Sequence, residues 1–222
     1  MMVDHDLRPA QAHPRREISL GIVPERIREG QHICYLYADD AERLQVTAEF
    51  LKSGMEERER VLHLTDTISV EEATRRLGGM GVDLGQLGGA LVVGAAEESQ
   101  CPAGRLVPSE MIRLLEEFYA GARAQGYSGA RGTGEMTWSL RAGRYDLDEL
   151  MDYEARLNEA LVKHPFTACC QYDLRRFDGR SIMDLLSVHP ITLVRGQLVL
   201  NPYYIEPAVF LARPRSRGKA DA

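Results

Sequence analysis

Two short segments hold the residues best suited to chemistry: Gly134-Glu135-Met136-Thr137-Trp138 and Cys169-Cys170-Gln171-Tyr172-Asp173. Each follows or ends an apolar run, which predicts an acid at the outer tip of a buried strand, where open α/β sheets receive ligands. Carboxylates placed there beside aromatics could activate water, hold a cation or accept hydrogen bonds from a small molecule. Phosphate transfer lacks its loop, because G-x-x-x-x-G-K-[ST] occurs nowhere in the chain.

Glu135 reads in two ways: as an acceptor or charge partner in a pocket flanked by Met136 and Trp138, or as half of a salt bridge to Arg131 or Arg156. Trp138 and Tyr172 could wall such a pocket or bind a cation on their ring faces. Asp173 could occupy the metal-coordinating strand end of an ATPase, or form an ordinary surface pair with Arg175 and Arg176. Gly132-Thr133-Gly134 begins like a dinucleotide fingerprint, but the third glycine is absent and Glu135 would repel a pyrophosphate. His32, His63 and His189 lie in or beside apolar segments and read as neutral core imidazoles. A pairing of His32 or His189 with Cys170 as base and nucleophile has no spacing rule behind it.

These residues need a frame. Strands are expected at His32 to Tyr37, Val61 to Thr65, Ala90 to Ala96, Gly129 to Met136 and Phe166 to Tyr172. Helices alternate with them, announced by Asp39 with Glu42, Ser69 with Glu72, Ser109, and Asp146 with Glu149 as capping groups. A further short helix is expected near Ser181 to Ser187. Ile191 to Val194 and Leu198 to Leu200, joined across Arg195-Gly196-Gln197, predict an antiparallel hairpin at the sheet edge. The fold class that follows is α/β, a three-layer, mostly parallel sheet with helices on both faces. The glycines from Gly78 to Gly89 read as turns and a helix stop, since Asp83 would repel an anion.

The 222 residues suit one domain, over 18–210, between a polar N-terminal tail at 1–17 and a basic tail at 211–222 with Arg213, Arg215, Arg217 and Lys219. A net charge of −6 argues against a broad nucleic-acid surface. No apolar run approaches the roughly 20 residues of a membrane span, and no signal peptide is evident, so a cytoplasmic protein is expected. Cys34, Cys101, Cys169 and Cys170 show no C-x-x-C spacing, which predicts reduced core thiols and no zinc site.

Several motifs in fixed order resemble the MEDS family, the methanogen/methylotroph, dichloromethane-repressor sensory domains. They are His32-Ile33-Cys34-Tyr35-Leu36-Tyr37, the Gly134 to Trp138 segment, Tyr153-Glu154-Ala155-Arg156-Leu157-Asn158, Cys170-Gln171-Tyr172-Asp173, His189-Pro190, and Asn201-Pro202-Tyr203-Tyr204. The resemblance spans about 28 to 207. It implies a fold similar to RecA and the circadian-clock ATPases without working ATPase motifs. It also implies sensing of small molecules such as hydrocarbon or one-carbon derivatives, next to histidine kinase, anti-sigma or DNA-binding modules.

The expected function is therefore a stand-alone, non-enzymatic sensory domain that binds a small molecule and signals in trans to such a partner, without metal or cofactor. The short segments flanking the domain leave no room for a helix-turn-helix. Expected ligand contacts are Glu135 and Trp138, then Tyr172 and Asp173, with His32 and Tyr37 from the first strand. Two other readings stay open. One is a cryptic nucleotide enzyme in which Glu135 activates water and Asp173 holds magnesium; the other is a ligand-free scaffold for a kinase or anti-sigma partner. RecA-like domains often self-associate, so a homo-oligomer is compatible with either.

Overall fold

The computed structural model describes residues 15–101, 104–141 and 145–213. A short antiparallel ribbon leads the chain, β1 (Glu17–Ser19) against β2 (Arg26–Arg28). After it come β3 (His32–Tyr37), α1 (Asp40–Glu56), β4 (Arg60–Thr65), α2 (Val70–Gly79), β5 (Leu91–Ala95), α3 (Ala96–Gln100) and α4 (Pro108–Ala124). The chain continues through β6 (Ala130–Glu135), α5 (Leu147–Lys163), β7 (Thr167–Asp173), α6 (Gly179–Val188), β8 (Ile191–Val194), β9 (Gln197–Leu200) and α7 (Pro207–Leu211). The main sheet has the order β5-β4-β6-β7-β3-β8-β9, parallel throughout except for the terminal β8-β9 hairpin.

Every residue of β3 and β7 is buried, as befits central strands covered on both faces. Strand alternation then sorts their side chains. Ile33, Tyr35, Tyr37 and Cys169 pack with Phe50 of α1, whereas Cys34, Leu36, Cys170 and Tyr172 pack with α5 residues such as Tyr153 and Leu157. The adjacent thiols Cys169 and Cys170 thus sit on opposite faces, and all four cysteines are buried, as expected of core thiols.

The predicted capping groups act at α1, α2 and α5. Asp39 accepts from the Glu42 N–H at 2.8 Å, Ser69 from Glu72 at 3.2 Å and Asp146 from Asp148 at 2.8 Å. The start of α4 differs from expectation: it begins at Pro108 after Val107, with no side-chain cap, and Ser109 lies inside the helix. Proline has no N–H to satisfy and its φ is already helical, so it replaces the cap at the first position. In the β8-β9 turn, Arg195 (φ 49°) and Gly196 (φ 70°) both adopt left-handed φ, the two-residue geometry that matches strand twist.

Gly132 is required by close approach. A Cβ there would fall 2.6 Å from the Phe166 ring, so β6 needs a bare backbone at that point. Residues 15–17, expected in the N-terminal tail, are tied into the body: Arg16 donates through Nε to Glu29 Oε2 at 2.7 Å, and Glu17 begins β1. The rest of that tail and the 214–222 part of the basic tail lie outside the described residues; Arg213 sits 5.9 Å from the Phe210 ring centre.

Candidate functional site: a buried carboxylate cluster beside an apolar cavity

Glu135 ends β6, but it does not face an open strand tip. It is 0% exposed on the α1 side of the sheet. Its Oε1 accepts from Arg43 Nη1 at 2.6 Å and from the Thr65 hydroxyl at 3.2 Å, and its Oε2 accepts from the Thr67 N–H at 2.9 Å. The salt bridge expected from Arg131 or Arg156 is thus formed by Arg43. Arg131 is instead buried against Glu59, and Arg156 is on the exposed side of α5. With a fixed cation and two further donors, this carboxylate is fully engaged.

Trp138, expected to share a pocket with Glu135, lies on the other side of the sheet. The chain reverses through a 3-10 turn at Thr137–Leu140, and the indole is 0% exposed within the α4/α5 core, edge-on to Tyr145 with ring centres 4.9 Å apart. Tyr37 stays with Glu135, its ring 5.5 Å from the Arg43 guanidinium. Asp173 takes its ion-pair reading, but as a buried carboxylate under a half-exposed cation: Arg175 donates to it through Nε at 2.8 Å, Nη2 at 2.7 Å and the backbone N–H at 2.9 Å. Although burial opposes it, Arg175 holds the Asp173 carboxyl below its ordinary value.

His32 and Tyr172 do meet, around Glu154, which spacing did not single out. Glu154 is 0% exposed on the inner face of α5. Its Oε1 accepts from the Tyr172 hydroxyl at 2.7 Å. Its Oε2 has His32 Nε2 at 3.0 Å, His189 Nε2 at 3.7 Å and Cys170 Sγ at 3.7 Å. Cys170 Sγ is also 3.6 Å from His32 Nε2, so the His-Cys contact without a spacing rule exists in space. One ligand atom from each of His32, Glu154, Cys170 and His189 falls within 4.8 Å of the others.

The outer ring nitrogens are held. His189 Nδ1 lies 2.8 Å from the Leu185 carbonyl, which accepts its proton. His32 Nδ1 lies 3.2 Å from Asn158 Oδ1, and the Asn158 amide in turn donates to the carbonyls of Glu154 (3.0 Å) and Val188 (2.8 Å). That orientation makes Oδ1 the acceptor and His32 Nδ1 the donor. Both Nε2 lone pairs therefore point at the Glu154 carboxylate. Burial lowers His32 to about 3 and His189 to about 3, so both are neutral, and burial raises Glu154.

On the same face, an apolar cavity of about 230 Å³ lies between β4, β5 and α4. Leu62, Leu64, Val92, Leu115 and Phe118 are among the residues of its wall, and Gln100 Oε1 is a buried acceptor with no partner among the described residues. A smaller void of about 50 Å³ shares Leu62, Leu115, Tyr153 and Phe166 with it and reaches Cys170. Gly132 and Gly134 keep that space open by presenting no side chain.

Glu154, Asn158 and Gln100 therefore went unnoticed in the sequence, where His189 read as a core imidazole or, without a spacing rule, as a base for Cys170. The signals were the Tyr153 to Asn158 and His189-Pro190 motifs, where a glutamate interrupts an apolar helix face and a histidine precedes a buried strand.

Comparison with known proteins gives three findings. A family model described as MEDS, the MEthanogen/methylotroph, DcmR Sensory domain, matches residues 31–190. The transcriptional repressor DcmR of Methylorubrum extorquens is 27% identical over 164 residues, which is 72% of this chain and 58% of the repressor. The chain thus spans little more than half of that relative's length. A KaiC-like protein from Pyrococcus horikoshii OT3 has a similar fold, with a TM-score of 0.59 at 14% identity over 81% of this chain and 80% of the other. The RecA-like fold expected above is the one found. Among the described residues, no helix is long and apolar enough to cross a membrane.

Proposed function

This chain belongs to the MEDS family of sensory domains, with a regulatory role, and we propose that it performs that role by binding a small, largely apolar molecule in the cavity beneath α4. The observation that carries this reading is the cavity itself, about 230 Å³ of space walled mainly by apolar side chains, with Gln100 Oε1 an acceptor that has no partner among the described residues. A void of about 150 Å³ between apolar side chains is enough to hold benzene. The space suits a ligand of several carbons with one hydrogen-bond donor, larger than a one-carbon compound.

Occupancy would bear on α4, which contributes Met111, Leu114, Leu115 and Phe118 to the wall. A ligand that favours one α4 position shifts the population of a conformer that a partner reads. The partner proposed is a signalling protein, either a histidine kinase, an anti-sigma factor or a transcription regulator, contacted in the cytoplasm.

A non-enzymatic role is part of this proposal. In a P-loop protein the strand-to-helix turn preceding the equivalent of α1 cradles phosphate. Here that turn is Ala38-Asp39, and Asp39, Asp40 and Glu42 crowd the start of α1 with negative charge. Glu135, the candidate water activator, is bound by Arg43.

Benzene, short alkanols and ATP, titrated separately while the melting temperature is followed, test the reading. Benzene or an alkanol of several carbons is expected to raise the melting temperature, and ATP to leave it unchanged. Val92→Phe, which fills the cavity with an apolar ring, is expected to fold and to abolish the response. A wild-type protein indifferent to every apolar probe sinks the proposal.

A further inference from the structure

We propose that His32 Nε2, His189 Nε2, Cys170 Sγ and Glu154 Oε2 form a binding site for a divalent transition metal of the zinc class. The site is drawn from four elements: the start of β3, the centre of β7, the inner face of α5 and the turn between α6 and β8. The inference rests on these residues alone and holds whether or not the neighbouring cavity binds a ligand.

Geometry is the first support. Four of the six separations between the ligand atoms measure 3.0, 3.6, 3.7 and 3.7 Å, and all six fall within 4.8 Å. A tetrahedral ion with bonds of about 2.0–2.3 Å sets its ligand atoms roughly 3.3–3.8 Å apart, so these four separations are near the spacing such an ion imposes and the ion would draw the remaining pairs in by about 1 Å at most. Side chains packed for van der Waals contact alone have no reason to aim four donor atoms at one point.

Lone-pair direction is the second. Because Leu185 and Asn158 accept from the Nδ1 positions, both imidazoles turn their unprotonated Nε2 inward, toward a carboxylate oxygen that is itself an acceptor. His189 Nε2 has no hydrogen-bond partner among the described residues. A single proton on Glu154 or Cys170 can satisfy one of these acceptors, but a cation satisfies all of them. Carbonyl and amide groups that fix the second ring nitrogen are also the usual outer support of metal-bound histidine.

Charge balance is the third. Two neutral imidazoles, one carboxylate and one thiolate carry two negative charges, which a divalent ion cancels. Binding releases to solvent the Cys170 proton and any proton Glu154 holds, and the resulting neutral centre suits an interior in which all four groups are buried. Among the described residues Glu154 forms ion pairs with His32 and His189 only, so no arginine or lysine competes for the role. Mixed nitrogen, sulfur and carboxylate donors select zinc-class ions over magnesium or calcium, which prefer oxygen.

The smaller void reaches Cys170, which places the proposed metal one thiolate away from the cavity system. The test uses the full chain stripped with a chelator, with Co²⁺ as the probe, supplied both to the folded protein and during recovery from urea so that burial cannot block entry. One equivalent of Co²⁺ is expected, with thiolate-to-cobalt charge transfer and the strong visible bands of tetrahedral cobalt, displaced by Zn²⁺. Cys170→Ser removes the charge-transfer band. Asn158→Ala, which leaves every ligand in place, weakens Co²⁺ affinity by about 10–100-fold. Val92→Phe retains the full cobalt spectrum, so loss of apolar binding with an intact spectrum overturns only the cavity reading. A wild-type chain that shows no saturable cobalt band by either route, or a band that survives Cys170→Ser, overturns the metal site.

Discussion

Glu135 and Glu154 are both completely buried, on opposite faces of one sheet, and their surroundings differ in kind. Glu135 has Arg43, a permanent cation, with Thr65 and Thr67 as further donors. Glu154 has two neutral imidazoles, a thiol and a phenol. The first set completes a structural ion pair that ties α1 and the loop after β4 to the end of β6. The second leaves the charge of its carboxylate to be decided by something that arrives, a proton or a metal. Burial of an acid therefore does not mark a functional site; what marks it is the lack of a built-in counter-charge.

The largest expected effect breaks the Glu135 side. Arg43→Met leaves a carboxylate buried without its cation and is expected to cost about 3–5 kcal/mol, while the double variant Arg43→Met/Glu135→Met returns to within about 1 kcal/mol of wild type. In chelator-treated protein, Glu154→Gln is expected to stay within about 1 kcal/mol, because the acid is already pushed toward its neutral form. Urea unfolding of the four proteins at neutral pH gives the comparison. A Glu154→Gln loss as large as that of Arg43→Met would show that both carboxylates depend on fixed charge.

Acid sharpens the same contrast. His63, on β4, is lowered to about 4, chiefly by burial, with Arg43 adding to the shift and Glu135 opposing it. Because its folded value lies below the unfolded value near 6.5, the unfolded chain takes up the proton first as pH falls. The stability that neutral His63 contributes is complete above about 6.5 and is lost between about 6.5 and 4. From pH 7 to pH 5 this amounts to about 2 kcal/mol. His63→Gln is expected to flatten the acid limb of the urea midpoint by that amount; an unchanged limb would show that the imidazole is already charged beside Glu135.

Most of the frame was legible in the sequence. The apolar runs place all the central strands, the Asp39, Ser69 and Asp146 caps place three helix starts, and Arg195-Gly196 places the edge hairpin. Alternation even separates Cys169 from Cys170 by face. What alternation cannot supply is the pairing register that sets Cys34 opposite Cys170 and His32 opposite Ala168, nor the helix rotation that turns Glu154 inward. Arg43 and Glu135 are 92 positions apart, and Arg131 was nearer in sequence but had been claimed by Glu59. Carboxylates do stand at the ends of β6 and β7 as their apolar runs predict, but access to them is not legible, because residue types at a tip do not reveal which helix covers them. The absence of C-x-x-C spacing likewise says nothing about a cluster whose members come from four separate elements.

The smallest expected effect concerns Asp173, whose position at the end of β7 matches that of Glu135 at the end of β6. Its partner Arg175 is 46% exposed at the side chain and also reaches Asp40 at 2.9 Å. Removing that guanidinium by Arg175→Ala leaves the carboxylate still accepting the residue-175 N–H, and takes away the half-exposed side chain that covers the otherwise buried carboxylate, so that water can replace it. The cost is expected to stay below about 1 kcal/mol and to shrink further as salt is raised. Urea unfolding at low and high ionic strength measures both quantities. A loss above about 2 kcal/mol, insensitive to salt, would move Asp173 into the same class as Glu135, as a buried carboxylate dependent on one cation that water does not replace. A small, salt-dependent loss instead confines the sheet's demand for built-in counter-charge to its interior, and leaves Glu154 as the buried acid that is supplied from outside.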